Sequence, residues 1–273
     1  TLFVSNLHEE FDQIQNMGNS RQRVLQAKEF RQKLGKLQFF DPACGSGNFL
    51  TETYLSLRKM ENECLRIIYG NQNTLLIADE PVKVKIQNFY GIEINDFAVS
   101  VARTAMWIAE SQMWEQTKEI TFADLDFLPL DSNDSIYEGD ALKIDWASIS
   151  KAYELDYIMG NPPFIGARMM DSNQKEDMKN VFNAADGINN LDYVCAWYKK
   201  SSDFISGSSV RCALVSTNSI TQGQQPVILW ENLSNKLTID FAYQTFVWKN
   251  EAKNKANVHV VIIGFSERGL REK

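Results

Sequence analysis

Short apolar segments alternate with longer helical stretches along most of this chain of 273 residues. We interpret the apolar segments as strands, and each of them ends abruptly. The strands that come first in the chain end in acidic residues or in turns rich in glycine and proline. Apolar strands separated by helices are typical of an α/β fold with a largely parallel sheet. In such a sheet the carboxyl ends of the strands lie along one edge, and ligands bind there. The alternation therefore predicts both the fold class and the edge that would carry a site.

Composition narrows the class of protein. Hydrophobic residues make up 44% of the chain and aromatic residues 11%, which suits a sizeable core and argues against disorder. No apolar run approaches the roughly 20 residues that span a bilayer, and no secretory signal is visible, so we expect a cytoplasmic protein. The formal charge of −7 argues against nucleic-acid binding driven by charge alone. With two histidines and four cysteines that lack C-x-x-C spacing, we expect neither a metal site nor disulfides.

Periodicity and turn residues assign the elements, and they show one domain without repeats. Helices are predicted at 20–36, 49–69, 96–115, 191–205 and near 219–234, and the basic residues of the first helix, Arg31 among them, are expected on its exposed faces. Strands are predicted at 37–40, 89–93, 136–138, 155–159, 211–216, 237–243 and 257–265. Residues 70–88 and 121–135 are expected to form polar loops, and 165–189 a polar, mobile segment.

The most specific local signal is a glycine-rich turn after the first strand, Asp41-Pro42-Ala43-Cys44-Gly45-Ser46-Gly47. Glycines between a strand and a helix let the backbone approach a ligand closely, and the first N–H groups of the helix are free to bind it. A dinucleotide site would require a third glycine three residues after Gly47 and an acidic residue about 20 positions further on. Leu50 takes the place of that glycine, and the next acidic strand end, Glu93, lies much further along the chain. Both departures disfavour NAD, and a tight turn without a ligand is the other alternative.

The second and third strands also end in acidic residues. Glu93 could accept hydrogen bonds from both hydroxyls of a ribose, with Ile94 packed on an adenine ring. Asp140 could accept from an adenine amino group. Each residue alone is a common solvated strand end, cap or turn. Together with Asp41 they give three successive acidic strand ends, which predict one ligand site at this edge of the sheet.

The fourth strand ends in Asn161-Pro162-Pro163-Phe164. The two prolines remove two N–H donors and stiffen the turn. The side-chain oxygen of Asn161 and the carbonyl of Pro162 then form a pair of acceptors beside the flat ring of Phe164. This set suits a planar amine that is bound through two hydrogen bonds while its ring stacks. A stiff loop without a ligand is the alternative, and the three acidic strand ends that precede it disfavour that alternative.

The order of these two motifs, the loop 41–47 before the turn 161–164, resembles the γ-class N6-adenine DNA methyltransferases. The phrases at 164–168 and 258–265 are similar to the MmeI-type subgroup, whose methyltransferase is one part of a single-chain restriction–modification enzyme. The resemblance covers nearly the whole chain. It implies a Rossmann-like class I S-adenosylmethionine-dependent methyltransferase fold, with a seven-stranded mixed sheet flanked by helices. It also implies an N-terminal helical segment over 1–36 and a methyltransferase catalytic domain over 37–273.

The resemblance gives a role to each motif residue. S-adenosylmethionine would be bound by the glycine loop and the acidic strand ends, namely Asp41, Pro42, Ala43, Gly45, Gly47, Asn48, Phe49, Glu93, Ile94, Asp140 and Ala141. The catalytic residues would be Asn161, Pro162, Pro163 and Phe164. A flipped adenine would contact Phe164, Asp192 and Trp248, with Phe246 as a weaker candidate than Trp248. Asp192 is equally consistent with a helix cap, and both aromatic residues with core positions. Methyl transfer would need no covalent intermediate, because the site positions and polarises the amine.

The chain also departs from the family pattern. Residues 1–40 contain no Tyr-Thr-Ser or similar motif, and little sequence follows the last strand. We therefore expect a catalytic-core fragment that binds double-stranded DNA through a recognition domain outside this chain, without Mg²⁺. Two alternatives stay open. One is a methyltransferase for protein glutamine or for guanine amines of RNA, which the MmeI-like phrases disfavour. The other is a non-catalytic module, which the presence of Asp41 and Asn161 disfavours.

Overall fold

A computed structural model describes residues 2–70, 82–121, 135–248 and 258–269. The α-helices in these ranges are α1 (Leu2–Gln15), α2 (Ser20–Leu34), α3 (Asn48–Tyr69), α4 (Asp96–Thr121), α5 (Ser172–Val181), α6 (Cys195–Phe204) and α7 (Gln225–Leu233). The strands are β1 (Phe39–Asp41), β2 (Phe89–Glu93), β3 (Ile136–Glu138), β4 (Tyr157–Gly160), β5 (Arg211–Thr217), β6 (Leu237–Trp248) and β7 (Val258–Glu267). None of the described helices combines the length and apolar character needed to cross a membrane.

The strands form one sheet in the order β3-β2-β1-β4-β5-β7-β6. The first five strands of the chain pair in parallel, and β7 runs antiparallel between β5 and β6. The seven-stranded mixed sheet predicted from the sequence is therefore confirmed. Because β1 lies between β2 and β4, the loops that follow these three strands are neighbours at the carboxyl edge of the sheet.

The short strand β1 is fixed by aromatic packing on both faces of the sheet. The Phe39 ring stacks on Phe89 and Tyr157, with centroids 5.0 and 5.4 Å away. On the opposite face Phe40 meets the edge of Trp146 at 5.1 Å. Successive side chains of a strand point to opposite faces, so two adjacent phenylalanines fill both core layers. This packing holds the carboxylate at the end of β1 in a fixed position.

A buried charge cluster joins α2 to α3. Arg31, which we expected on an exposed face of α2, is buried and its Nε lies 3.1 Å from Glu61 Oε1. The same carboxylate pairs with Arg58 and accepts from the backbone N–H groups of Lys83 (2.6 Å) and Val84 (3.2 Å). The prediction for Arg31 was wrong because the pairing partner lies 30 residues away in sequence.

Substituting Glu61 with glutamine is expected to lower the free energy of unfolding by about 3–5 kcal/mol. The change leaves the buried guanidinium of Arg58 without its counter-charge, while the side-chain volume hardly changes. Urea denaturation measures the loss. The matched control is Glu63→Gln, which removes an exposed pair with Arg66 and should cost less than about 1 kcal/mol. Equal effects of the two substitutions would contradict this account.

Several predicted elements differ from the structure. The helix predicted at 96–115 continues to Thr121, and the helix predicted to start at 191 begins at Cys195. The segment 165–189, expected to be polar and mobile, contains α5. The loops predicted at 70–88 and 121–135 fall largely on residues 71–81 and 122–134, which lie outside the described residues. The division at residue 36 stays a prediction.

Candidate active site

The glycine-rich turn connects the end of β1 to the start of α3. Gly45 and Gly47 have φ values of 54° and 82°, a left-handed conformation that favours glycine. A Cβ on Gly47 would also lie 3.0 Å from the Cβ of Ala102 in α4. The backbone N–H of Cys44 donates to the carbonyl of Ile92 at 3.0 Å, which ties the turn to β2. No described side chain caps α3, so no capping side chain occupies the first backbone N–H groups of this helix, which directly follow the turn.

Glu93 links the end of β2 to this turn. Its Oε2 accepts from the Gly45 N–H at 3.0 Å, and its Oε1 accepts from the Asn95 N–H at 2.9 Å. Ile94 is 68% exposed beside it. The structure thus brings Glu93 and the glycine turn together as predicted, and leaves Ile94 available for an apolar contact.

Asp41 is the most constrained acid of the site. It is fully buried, and its Oδ1 accepts from the Ala43 N–H at 2.9 Å. Its Oδ2 has no hydrogen-bond partner among the described residues. Burial raises the pKa of Asp41 to about 7, against the opposing effect of the Ala43 hydrogen bond, and the nearby charge of Glu93 raises it further. A cationic or N–H donor placed at Oδ2 would stabilise the charged form.

Gly160, the last residue of β4, lies against Asp41. A Cβ at this position would lie 2.7 Å from Asp41 Oδ1. Gly160 was not among the residues predicted to form the site, although a glycine that ends an apolar strand is a signal of close approach. Asn161 therefore directly follows a residue that packs against the buried carboxylate.

Gly160→Ala is expected to lower the free energy of unfolding by about 1–3 kcal/mol, because the new methyl group must displace the Asp41 carboxylate. Urea denaturation without ligand measures the effect. Gly18→Ala is the control, since nothing lies within 4 Å of a Cβ at Gly18. If Gly160→Ala proved as mild as Gly18→Ala, the close packing of β4 on Asp41 would be refuted.

The turn after β4 presents a second acceptor without a partner. The side-chain oxygen of Asn161 is shielded from solvent and has no hydrogen-bond partner among the described residues. Pro162 is buried, Pro163 is exposed and Phe164 is half-buried. Since β1 and β4 are adjacent and parallel, Asn161 Oδ1 and Asp41 Oδ2 are unpaired acceptors at neighbouring strand ends.

Asp140 follows β3 and lies on the far side of Glu93. The N–H of Gly139 donates to the Glu93 carbonyl at 2.8 Å, which joins the two strand ends. Asp140 Oδ1 accepts from the Leu142 N–H at 3.0 Å, and its Oδ2 pairs with Lys143 Nζ at 2.9 Å. Ala141 is buried next to it. All three acidic strand ends therefore lie along one edge of the sheet, in the order Asp140, Glu93 and Asp41.

Asp192 does not cap a helix, so that alternative was wrong. It lies three residues before α6, which begins at Cys195, and its side chain points to other elements. The carboxylate accepts hydrogen bonds from Ala167 N (3.1 Å), Thr217 Oγ1 (3.0 Å) and Gln225 Nε2 (3.1 Å). Thr217 and Gln225 were missed, because their contact with Asp192 is set by tertiary packing. The network fixes the loop that follows Phe164.

The remaining predicted residues have different surroundings. Trp197 Nε1 donates to the Pro42 carbonyl at 3.1 Å, a contact that sequence analysis missed. Asn48 is exposed at the start of α3, and Phe49 is half-buried. Phe246 and Trp248 lie in β6, in register with Val260 and Val258, and their side chains lie outside the described part of the structure.

Metal-binding side chains and thiols are arranged as follows within the described ranges. Within them, no three His, Cys, Asp or Glu side chains cluster in a way that could hold a metal ion. The four cysteines are free and buried. Burial raises the pKa of Cys44, which lies in the glycine turn, and the charges of Asp41 and Glu93 raise it further, so its thiol is a poor nucleophile.

Comparison with known proteins identifies the family. Residues 14–273 match the family described as MmeI, DNA-methyltransferase domain. The chain is 43% identical over 237 residues to DNA methyltransferase A of Bacillus subtilis (strain 168), covering 85% of this chain and 27% of that protein. A solved structure of the Type IIL restriction-modification enzyme MmeI in complex with DNA superposes with a TM-score of 0.87 and 40% identity, covering 97% of this chain and 35% of that one.

A more distant structure supports the fold alone. The ATP-dependent Type ISP restriction-modification enzyme LlaBIII bound to DNA has a TM-score of 0.54 and 15% identity, covering 85% of this chain and 16% of that one. The chain thus spans about a third or less of the length of the relatives it matches. The expected Rossmann-like class I methyltransferase fold and the MmeI-like resemblance are both confirmed, and the chain belongs to the MmeI DNA-methyltransferase domain family.

Proposed function

We propose that this chain transfers a methyl group from S-adenosylmethionine to the N6 amino group of a flipped adenine in double-stranded DNA, within a restriction–modification system. The observation that carries this proposal is a pair of buried acceptors at neighbouring strand ends, Asp41 Oδ2 and Asn161 Oδ1, neither of which has a hydrogen-bond partner in the described part of the chain. A buried polar atom left unpaired costs about 1–3 kcal/mol, and binding of a donor removes that cost. The family and the names of the relatives support the same function.

The residues of the carboxyl edge fit S-adenosylmethionine. Asp41 Oδ2 can bind a cationic or N–H group at the methionine end. Each Glu93 oxygen accepts one backbone N–H and keeps a lone pair for a ribose hydroxyl. Ile94 offers an exposed apolar surface to the adenine, and Asp140 and Ala141 follow the neighbouring strand β3, whose end is bound to that of β2. When bound, the cofactor supplies an electrophilic methyl group on a sulfonium.

Asn161 and Pro162 are proposed to act on the target amine. The lone pair of an adenine amino group is delocalised into the purine, so the amine is a weak nucleophile. Two hydrogen bonds, to Asn161 Oδ1 and to the Pro162 carbonyl, would localise this lone pair and orient it. Pro163 stiffens the turn, and Phe164 would stack on the ring. The acceleration then comes from position and electrostatics, and no side chain forms a covalent bond to the substrate.

DNA is the proposed partner, and the base must leave the duplex to reach this site. Extrusion costs a few kcal/mol, which stacking on Phe164 recovers in part. The net charge of −7 gives the chain little general attraction for phosphates, so we propose that sequence recognition belongs to segments other than the chain described here.

The proposal is tested by single-turnover transfer from isotopically labelled S-adenosylmethionine to duplexes in which adenine faces an abasic site. Such an adenine is already unpaired, so the assay places little demand on base extrusion. A pool of flanking sequences avoids dependence on one recognition site. After digestion to nucleosides, mass spectrometry is expected to find the label in N6-methyladenine. Duplexes with guanine or cytosine at the same position are the matched controls.

The other outcomes are equally informative. Label found in guanine of RNA, or in glutamine of an added protein, would show that the substrate is RNA or protein and not DNA. Binding of S-adenosylmethionine without transfer to any substrate would support a non-catalytic module and overturn the proposal.

A further inference from the structure

Lys143 contacts two carboxylates that belong to different parts of the site. Its Nζ lies 2.9 Å from Asp140 Oδ2, at the end of the site proposed for the cofactor adenine. The same Nζ lies 3.5 Å from Asp177 Oδ1 on α5, the helix that follows the Asn161 turn. The Lys143 side chain is 63% exposed, whereas that of Asp177 is only 7% exposed. Lys143 therefore pairs with a buried carboxylate on α5, Asp177, and also with Asp140 at the adenine end of the proposed cofactor site.

Asp177 continues this connection toward the target-base turn. The hydroxyl of Tyr193 donates to Asp177 Oδ2 at 3.0 Å. The backbone N–H of Tyr193 donates to the carbonyl of Ile165 at 2.9 Å, one residue after Phe164. The Tyr193 ring packs edge-on against Trp197, whose indole N–H binds the Pro42 carbonyl of the glycine turn. Contacts of α5 are thus linked to both halves of the site.

We propose that Lys143 is a positioning residue that couples cofactor binding to the order of α5 and of the loop after Asn161. This inference rests on the proposed function, because it needs an adenine amino group at Asp140. Asp140 Oδ2 can accept an N–H from the cofactor while it stays paired with Lys143, because a carboxylate oxygen accepts more than one hydrogen bond. The bound cofactor then fixes the Asp140 carboxylate and with it the Lys143 side chain, whose charge holds Asp177 and so strengthens the attachment of α5. By reciprocity, an ordered α5 raises the affinity for the cofactor.

The test measures two quantities on the same samples. Calorimetry gives the Kd for S-adenosylmethionine, and hydrogen exchange followed by mass spectrometry gives the protection of residues 172–181 with and without saturating cofactor. The variants are Lys143→Met, which keeps the aliphatic stem, Asp177→Asn, which keeps an acceptor for Tyr193, and their combination. Lys143→Arg tests rescue. Lys175→Met, an exposed lysine on α5 itself, is the matched control.

The wild-type chain is expected to gain protection in α5 on binding the cofactor. Lys143→Met and Asp177→Asn should each lose that gain and weaken binding about fivefold, the lower end of typical coupling between sites. The double variant should be no worse than either single one, and Lys143→Arg should restore both readouts. A purely structural role would lower protection equally with and without cofactor, which would overturn the proposal. If all variants bind the cofactor with the same α5 protection, the coupling would be overturned and the proposed function would not. Absence of cofactor binding by the wild type would overturn the proposed function itself.

Discussion

Asn161→Ala is expected to reduce the rate of methyl transfer by about 10²–10³-fold, the typical loss when one polarising hydrogen-bond partner is removed from an active site. The Asn161 oxygen is shielded from solvent and has no hydrogen-bond partner among the residues that the structure describes, and we propose the target amine as its donor. Affinity for S-adenosylmethionine should stay unchanged, because the residues proposed to bind the cofactor are Asp41, Glu93 and Asp140. Single-turnover transfer and calorimetric titration separate the two effects.

Asn16→Ala provides the matched control. Asn16 is exposed after the end of α1, and its side chain binds only a local backbone carbonyl among the contacts described. This variant should transfer methyl groups at the wild-type rate. A wild-type rate for Asn161→Ala, or a loss of cofactor binding that explains its whole defect, would refute the role given to Asn161.

Asp41→Asn is expected to have opposite effects on ligand affinity and on stability. Affinity for S-adenosylmethionine should fall by about 10- to 100-fold, since a hydrogen bond to a charged group contributes about 1.5–3 kcal/mol. The variant keeps an acceptor for the Ala43 N–H and removes the negative charge at Oδ2. Calorimetric titration at pH 8 measures this loss.

The free energy of unfolding of the cofactor-free chain should instead rise. Asp41 titrates near 7 in the folded chain, against an ordinary pKa of 3.8. Between these values the folded chain binds more protons than the unfolded chain, so wild-type stability falls as the pH rises and is lowest above pH 7. The rise in the pKa of Asp41 means that its ionised form lowers the free energy of unfolding by about 4 kcal/mol. The unpaired amide of the asparagine variant is expected to lower it by about half as much. We expect the variant to be more stable by about 2 kcal/mol at pH 8, and the difference to shrink toward pH 4.

Urea denaturation at several pH values checks this second effect, with Asp186→Asn as an exposed control that should change neither quantity. A variant that is less stable than the wild type at pH 8, or that binds the cofactor equally well, would show that Asp41 is a structural residue and not a ligand acceptor.

Local sequence was sufficient to predict the carboxyl edge of the sheet. The apolar residues before Asp41 indicated a strand, and the glycines after it indicated a turn that approaches a ligand closely; the structure shows the strand and a turn with Gly45 and Gly47 in the left-handed conformation. The acidic ends of β2 and β3 then followed from the rule that parallel strands end at one edge. These features could be predicted from the sequence because they depend on short-range patterns.

Contacts between segments that are distant in sequence could not be predicted from local patterns. The partners of Asp192 lie on segments 25 and 33 residues away, so its position just before α6 suggested a cap instead. Trp197 binds a carbonyl 155 residues away. A buried indole N–H needs a partner, but sequence does not say which one. The helix α5 is a different case, because its capping box of Asp171 and Gln174 was visible in the sequence and was overlooked.

The central claim is that four neighbouring strand ends form one site, with the cofactor on Asp41, Glu93 and Asp140 and its reactive end toward Asn161. A crystal structure of the chain with S-adenosylhomocysteine, the demethylated cofactor, tests this most directly. The account predicts adenine between Ile94 and Ala141, ribose hydroxyls on Glu93, and the sulfur facing Asn161. A ligand bound elsewhere, or at this edge with its sulfur directed away from Asn161, would contradict it.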